Sequence, residues 1–208
     1  MSDRQKIGLR KAPSATRKRG RERRRLLLKA TYELLCVRPI EDVSFRDIAN
    51  KAGVPEGSAY HFFANRFDVF SALAKELRDQ FIEAHRRRVQ PSRRKSWQTL
   101  AEHLVDIGAK IYAENPPARQ LLIGGKTPPE VKQADRINDR AVGNVMYEVY
   151  DEHFELPESD EMQNAFYYFI EITDLIFTLS LIEHGEITPA MLAEAKRAGI
   201  GYLSTYLE

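Results

Sequence analysis

Cysteine is almost missing from this chain: Cys36 is the single one. An internal disulfide and a cysteine metal cluster are thereby excluded, and one thiol is what a reducing cytoplasm tolerates. Cys36 lies inside an amphipathic run, so a packed, inert thiol is expected. Long apolar runs are missing too, since no stretch approaches the roughly 18 residues that mark a transmembrane helix. The apolar run 26–37 follows a basic N-terminus, but it carries Lys29 and Glu33 and has no small-residue cleavage site. A signal peptide is therefore not expected. Enzyme signatures are equally scarce. There is no Gly-rich phosphate loop, no Gly-x-Ser-x-Gly and no His-Glu-x-x-His, and His61, His85, His103, His153 and His184 are scattered without ligand spacing. His103 with Asp106 is a lone pair of the kind met most often at surfaces. The expectation is a soluble cytoplasmic protein that is not an enzyme, with no metal, no cofactor and no membrane partner.

What is present is charge of one sign at one end. Apolar residues make up 43% and charged residues 30% of the 208, an ordinary globular balance. The net charge is only +2, yet residues 1–25 hold eleven basic side chains and two acids, leaving the remainder acidic. A basic tail on a mildly acidic body implies a polyanion partner for the tail. Residues 1–20, with almost no apolar side chains, are expected to be disordered alone.

From Arg21 onward helical spacing takes over, with Leu27, Ala30, Leu34 and Leu35 on one face up to about Pro39. Ser44 is placed to cap a short helix, Gly53 to turn the chain, and Pro55 to open a third helix reaching Phe63. Asn65 is placed to cap a fourth, periodic at Phe67, Phe70, Leu73, Leu77 and Phe81. Past Pro91 longer helices follow, over 97–114, a short one to 122, then 131–154, 161–184 and 189 onward. No strand alternation and no repeat is visible. The fold expected is all-α with about nine helices: a tail (1–20), a first helical domain including the linking fourth helix (21–90), and a second helical domain (91–208).

Two short helices joined by a tight glycine turn are the helix-turn-helix pattern. Ile48, Ala49, Ala52 and Val54 suit one small core, and the second helix suits the major groove. Three blocks at unbroken spacing, Leu27-Leu28-x-Ala30 with Leu34-Leu35, Ser44-x-Arg46-Asp47-Ile48-Ala49-x-x-Ala52-Gly53-Val54, and Gly57-Ser58-x-Tyr60-x-x-Phe63-x-Asn65-Arg66, resemble the N-terminal signature of TetR-family regulators. Beyond residue 91 the likeness is only in helix layout. Pro39 stands where the family usually has Gly, Arg66 where it usually has Lys, and the basic tail is longer than most.

The resemblance implies double-stranded operator DNA as partner. It implies phosphate contacts from Ser58, Tyr60, Arg66 and Ser44, and groove contacts from Arg46, with Pro55, Glu56, Gly57 and His61 on the exposed start and outer face of the recognition helix. That helix has no Lys or Arg. Affinity is therefore expected from the tail, through Arg17, Lys18, Arg19, Arg21, Arg23, Arg24 and Arg25. A second basic cluster, Arg86 to Arg88 with Arg93, Arg94 and Lys95, is too far along the fourth helix to serve and is read as solvated or acid-paired.

The second half is expected to bind a small-molecule effector, apolar or aromatic, and to form a homodimer. Trp97, His103, Tyr112, Tyr147, Phe166, Tyr167 and Asp174 are the pocket candidates, Asp174 because a carboxylate amid apolar residues needs a partner. Phe166, Phe169, Ile170, Phe177 and Leu181 share one side of the 161–184 helix, and Tyr168, Ile172, Leu175, Leu179 and Ile182 another. Tyr168, Ile172, Leu175 and Leu179, with the small-residue stripe Ala195, Ala198, Gly199 and Tyr202, are the expected dimer face. The function expected is repression from a palindromic operator, relieved by effector. The rivals are a helical carrier or enzyme with a vestigial DNA module, and a nonspecific DNA-compacting protein.

Overall fold

The computed structural model describes residues 13–87 and 95–208. Among them are nine α-helices, one 3-10 turn at Ile40–Asp42 and no strand. The helices are α1 (Pro13–Leu35), α2 (Phe45–Ala52), α3 (Glu56–Ala59), α4 (Arg66–Arg87), α5 (Trp97–Glu114), α6 (Pro116–Leu122), α7 (Pro129–Phe154), α8 (Asp160–His184) and α9 (Pro189–Leu203).

Most starts are written in side-chain oxygens that satisfy the otherwise orphaned first N–H groups. Ser44 accepts from the Asp47 N–H while the Asp47 carboxylate accepts from the Ser44 N–H, a reciprocal box. Asn65 accepts from Phe67 and Asp68 at 2.7 and 3.1 Å. Ser96, Asn115, Ser159 and Thr188 do the same for α5, α6, α8 and α9. Proline opens α6, α7 and α9, where its missing N–H costs nothing. Gly53 ends α2 at φ 64°, the left-handed region where a side chain is penalised.

Three expectations need correction. Residues 13–20 are helical and continue α1, where a disordered tail was expected. Ala15, Arg17, Lys18 and Arg19 are good helix formers, and extending a helix already anchored by Leu27 and Leu28 avoids the cost of nucleation. The third helix is a single turn, carried on to Phe63 by tight turns in which the His61 and Phe62 N–H groups donate to Ser58 and Ala59. Cys36 lies just beyond the end of α1 and is exposed. The first twelve residues and the expected boundary near Pro91 lie outside the described residues.

One continuous apolar core runs from Leu27 to Leu203. α1 packs on α2 and α4, α4 on α7, and α8 lies between α7 and α9. Gly143 makes the α7–α8 approach possible, since a Cβ there would meet the Tyr167 backbone at 2.8 Å. α8 is two-sided as its sequence implies: Phe166, Phe169, Ile170 and Phe177 are buried, whereas Tyr168, Leu175, Leu179 and Ile182 are exposed. By length and composition α8 alone among the described helices is apolar enough to cross a membrane, against the expectation that no stretch would be. Its midpoint, however, carries Glu171 and Asp174, and Asp174 faces a buried arginine, as befits the central helix of a bundle.

Candidate nucleic-acid interface and internal cavities

Val54, Ile48, Ala49 and Ala59 close a small core under α2 and α3, which fixes the angle between them. What remains outside is Arg46, Pro55, Glu56, Gly57, Tyr60 and His61, all exposed, with Ser58 half-buried. Tyr60 is 52% exposed while its ring rests 4.6 Å from that of Phe45, so the hydroxyl is held outward on a supported ring. Arg46 lies on α2 and the others on α3 and the turns flanking it. Lys51 is paired with Glu33 at 3.3 Å and Arg38 with Asp47 at 3.5 Å, locking α2 to α1 and its exit.

Two residues assigned to phosphate are engaged elsewhere. The Ser44 hydroxyl donates to Asp47 Oδ2 at 2.7 Å and accepts the Asp47 N–H at 3.1 Å. A hydroxyl has one donor, so Ser44 is occupied as a cap. Arg66 Nη1 donates to Val43 O at 3.1 Å and Glu41 O at 3.3 Å, and its guanidinium lies 5.0 Å over the Phe67 ring. It ties the start of α4 to the chain entering α2.

The basic arm lies beside this surface: at Gly20 a Cβ would sit 3.7 Å from the Phe62 ring. Lys18, Arg19, Arg21 and Arg23 are exposed. Arg24 lies 5.1 Å over Phe63 and 3.9 Å from Glu76, and Arg25 pairs with Glu22 at 2.6 Å. The Arg17 side chain is outside the described part. In the second basic cluster Arg86 pairs with Glu148 at 2.8 Å, the acid-paired helix end that was expected, whereas Arg88, Arg93 and Arg94 lie outside the described residues.

The pocket candidates do not converge. Trp97 is buried at the start of α5, its indole donating to Glu208 O at 2.9 Å. Tyr147 and Phe166 belong to an aromatic packing cluster with Tyr150. Tyr167 faces outward under Arg140, and His103 is half-buried on α5. Asp174 alone lines the central cavity, and Tyr112 reaches it by donating to both Asp174 oxygens at 3.1 Å.

Sequence alone did not show the charge that Asp174 meets. Arg78, 1% exposed, binds Asp135 at 2.7 Å and lies 3.7 Å from Asp174. Arg78 sits one turn after buried Ala74 on the core face of α4, and that misplaced charge was the available signal. Burial raises the Asp174 carboxyl to about 6 against the pull of Arg78 and Tyr112, and raises Asp135 against the same guanidinium. Burial also pushes His85 down to about 4; its ring nitrogens face Phe81 O at 2.8 Å and Leu104 O at 3.2 Å, and the neutral ring donates to one of them. The cavity bounded by Phe81, His85, Thr173, Asp174 and Phe177 is about 10 Å³, room for one water. A cleft of about 100 Å³ between α7 and α8 runs past Glu171.

Of the expected dimer residues, Tyr168, Leu175 and Leu179 are exposed and Ile172 half-buried. Two residues of the α9 stripe pack within the subunit: Ala195 and Gly199 are buried, and a Cβ on Gly199 would meet the Phe169 ring at 2.6 Å. Small residues there bring α9 onto α8. Ala198 is half-buried, and Tyr202 is half-buried with its ring 6.4 Å from Tyr168.

Residues 27–73 match the sequence profile of "Bacterial regulatory proteins, tetR family", and residues 95–207 that of "Tetracyclin repressor-like, C-terminal domain". No curated protein sequence matches the chain. Among solved structures, a TetR-family transcriptional regulator from Streptomyces coelicolor superposes with TM-score 0.69 at 20% identity, over 89% of this chain and 99% of that one. A TetR transcriptional regulator from Rhodococcus sp. RHA1 gives 0.68 at 18% identity, over 89% and 97%. The multidrug binding protein EbrR, complexed with imidazole, gives 0.60 at 18% identity, over 86% and 94%.

Proposed function

The chain belongs to the TetR family of bacterial regulatory proteins, and from that premise we propose that it represses from a palindromic operator as a homodimer and lets go when a small-molecule effector binds. The observation that carries this reading is the outward surface of the capped α2–α3 unit, on which Arg46, Glu56, Ser58, Tyr60 and His61 stand around a rigid glycine turn. The Tyr60 and Ser58 hydroxyls are donors for phosphate oxygens, and Arg46 and Glu56 address base edges, the one donating to guanine and the other accepting from cytosine. Lys18, Arg19, Arg21 and Arg23 on the exposed start of α1 supply the positive charge that the recognition turn lacks. Effector binding favours a relative placement of the two recognition elements that no longer fits successive major grooves. No catalytic step is involved, and the protein works in the cytoplasm, with its DNA.

Footprinting on the DNA upstream of the protein's own gene tests it. A protected palindrome is expected, with Tyr60→Phe weakening it about tenfold at unchanged thermal stability, one charge-assisted hydrogen bond being worth about 1.5 kcal/mol. Uniform coating would support the compaction rival, and no binding at low salt the carrier.

A further inference from the structure

The joint between the α1–α2 connection and the helical body holds a cavity of about 570 Å³, well inside the ~300–1,000 Å³ range of small-molecule sites, which favour such domain joints. One side chain spans the joint beside it. Gln120 of α6 accepts from the Ile40 N–H at 2.7 Å and donates to Leu35 O at 2.7 Å and Arg38 O at 3.1 Å. Apolar wall comes from Ile40, Leu181 and Ile182, and two cations face in, Lys126 and Arg119. Lys126 is paired with Glu41 across the rim. The Arg119 side chain is half-buried and its guanidinium has no hydrogen bond or ion pair among the described residues. Glu41 also lines the cavity but is taken up by Lys126, which leaves the Arg119 guanidinium as a ready fork for a carboxylate.

We propose that this joint cavity is the effector site and that its ligand is an amphipathic organic anion. The carboxylate lies on Arg119, and the apolar chain or ring lies against Ile40, Leu181 and Ile182. The centre of the bundle, at about 10 Å³, takes no organic molecule without repacking around the Arg78–Asp135 pair. The joint needs no such repacking. A ligand there sits against Gln120 and so changes how firmly α6 holds the exit of α1, which sets the placement of the α2–α3 unit. Binding stands on the cavity alone; only its regulatory consequence rests on the repressor reading.

Calorimetry of the full chain with octanoate, and with the uncharged octanamide as its partner probe, tests the site. Octanoate is expected to bind at least tenfold tighter than octanamide. Arg119→Gln is expected to bring octanoate down to the level of the amide, and Arg119→Lys to restore part of the difference, all three proteins melting alike. Equal octanoate binding by wild type and Arg119→Gln, no preference over octanamide, or no uptake at all overturns the proposal; the last includes a second copy sealing the cavity. Operator anisotropy separates the two readings. Arg119-dependent octanoate binding by a protein that retains no duplex leaves the site standing and removes the repressor, whereas firm operator binding with no octanoate uptake does the reverse.

Discussion

His85 on α4 and Asp174 on α8 line the same small cavity and titrate in opposite senses. The His85 value of about 4 lies below its ordinary 6.5, so its neutral form adds stability that is present above pH 6.5 and lost as pH falls toward 4. The Asp174 value of about 6 lies above its ordinary 3.8, so its contribution is present below pH 3.8 and lost as pH rises through 6. Between pH 4 and 6 the two oppose each other. Asp174→Asn removes its share of that opposition, the raised Asp135 remaining in both proteins, so the melting temperature of the variant is expected to fall more steeply than wild type from pH 6.5 to 4.5. Each shift of roughly two units corresponds to about 3 kcal/mol at most. Parallel melting curves over that range would remove the explanation. Asp174 announced itself in the sequence as a charge amid apolar residues. Arg78 did the same on the core face of α4, but which acid it meets across α4, α7 and α8 is decided by tertiary contact and leaves no local pattern.

At the scale of elements the capping residues carried most of the information. Ser44 and Asn65 mark helix starts because they act on the nearest backbone N–H groups, and local chemistry is legible locally. The first turns of α1 were not legible. They contain no apolar face, and their helicity is borrowed from the packed turns that follow. A helical arm holds its cations along a rod beside Phe62, so operator binding should depend on salt through them. Deleting residues 1–20 removes Lys18 and Arg19 together with the preceding basic residues. The slope of log K against log salt for operator binding is expected to flatten by about 0.9 for each phosphate that the shortened protein no longer neutralises. An unchanged slope would discard the arm as a DNA-binding element.

For the molecule as a whole, the question is what covers the outer side of α8. Tyr168, Leu175, Leu179 and Ile182 are 47%, 59%, 41% and 64% exposed along one helix, too much contiguous apolar surface to leave in water. The sequence displayed this second face because α8 is apolar on two sides, and a helix in a single small domain needs only one. In α9 small residues read equally well as contact within a subunit or between two; the close approach of Gly199 to Phe169 assigns that residue to the former. A two-fold pairing of α8 faces is isologous, so each leucine is buried twice in the dimer, at about 1.5–3 kcal/mol per side chain. Leu175→Asp with Leu179→Asp puts four carboxylates into that seam and leaves the subunit core untouched. Light scattering at micromolar concentration is expected to give a monomer with wild-type helicity. Operator affinity is expected to drop by two or more orders of magnitude, because each half-site, about 34 Å from the next, must then be held alone. A doubly substituted protein that stays dimeric would move the seam off α8, and one that becomes monomeric yet binds DNA as before would remove the need for two copies.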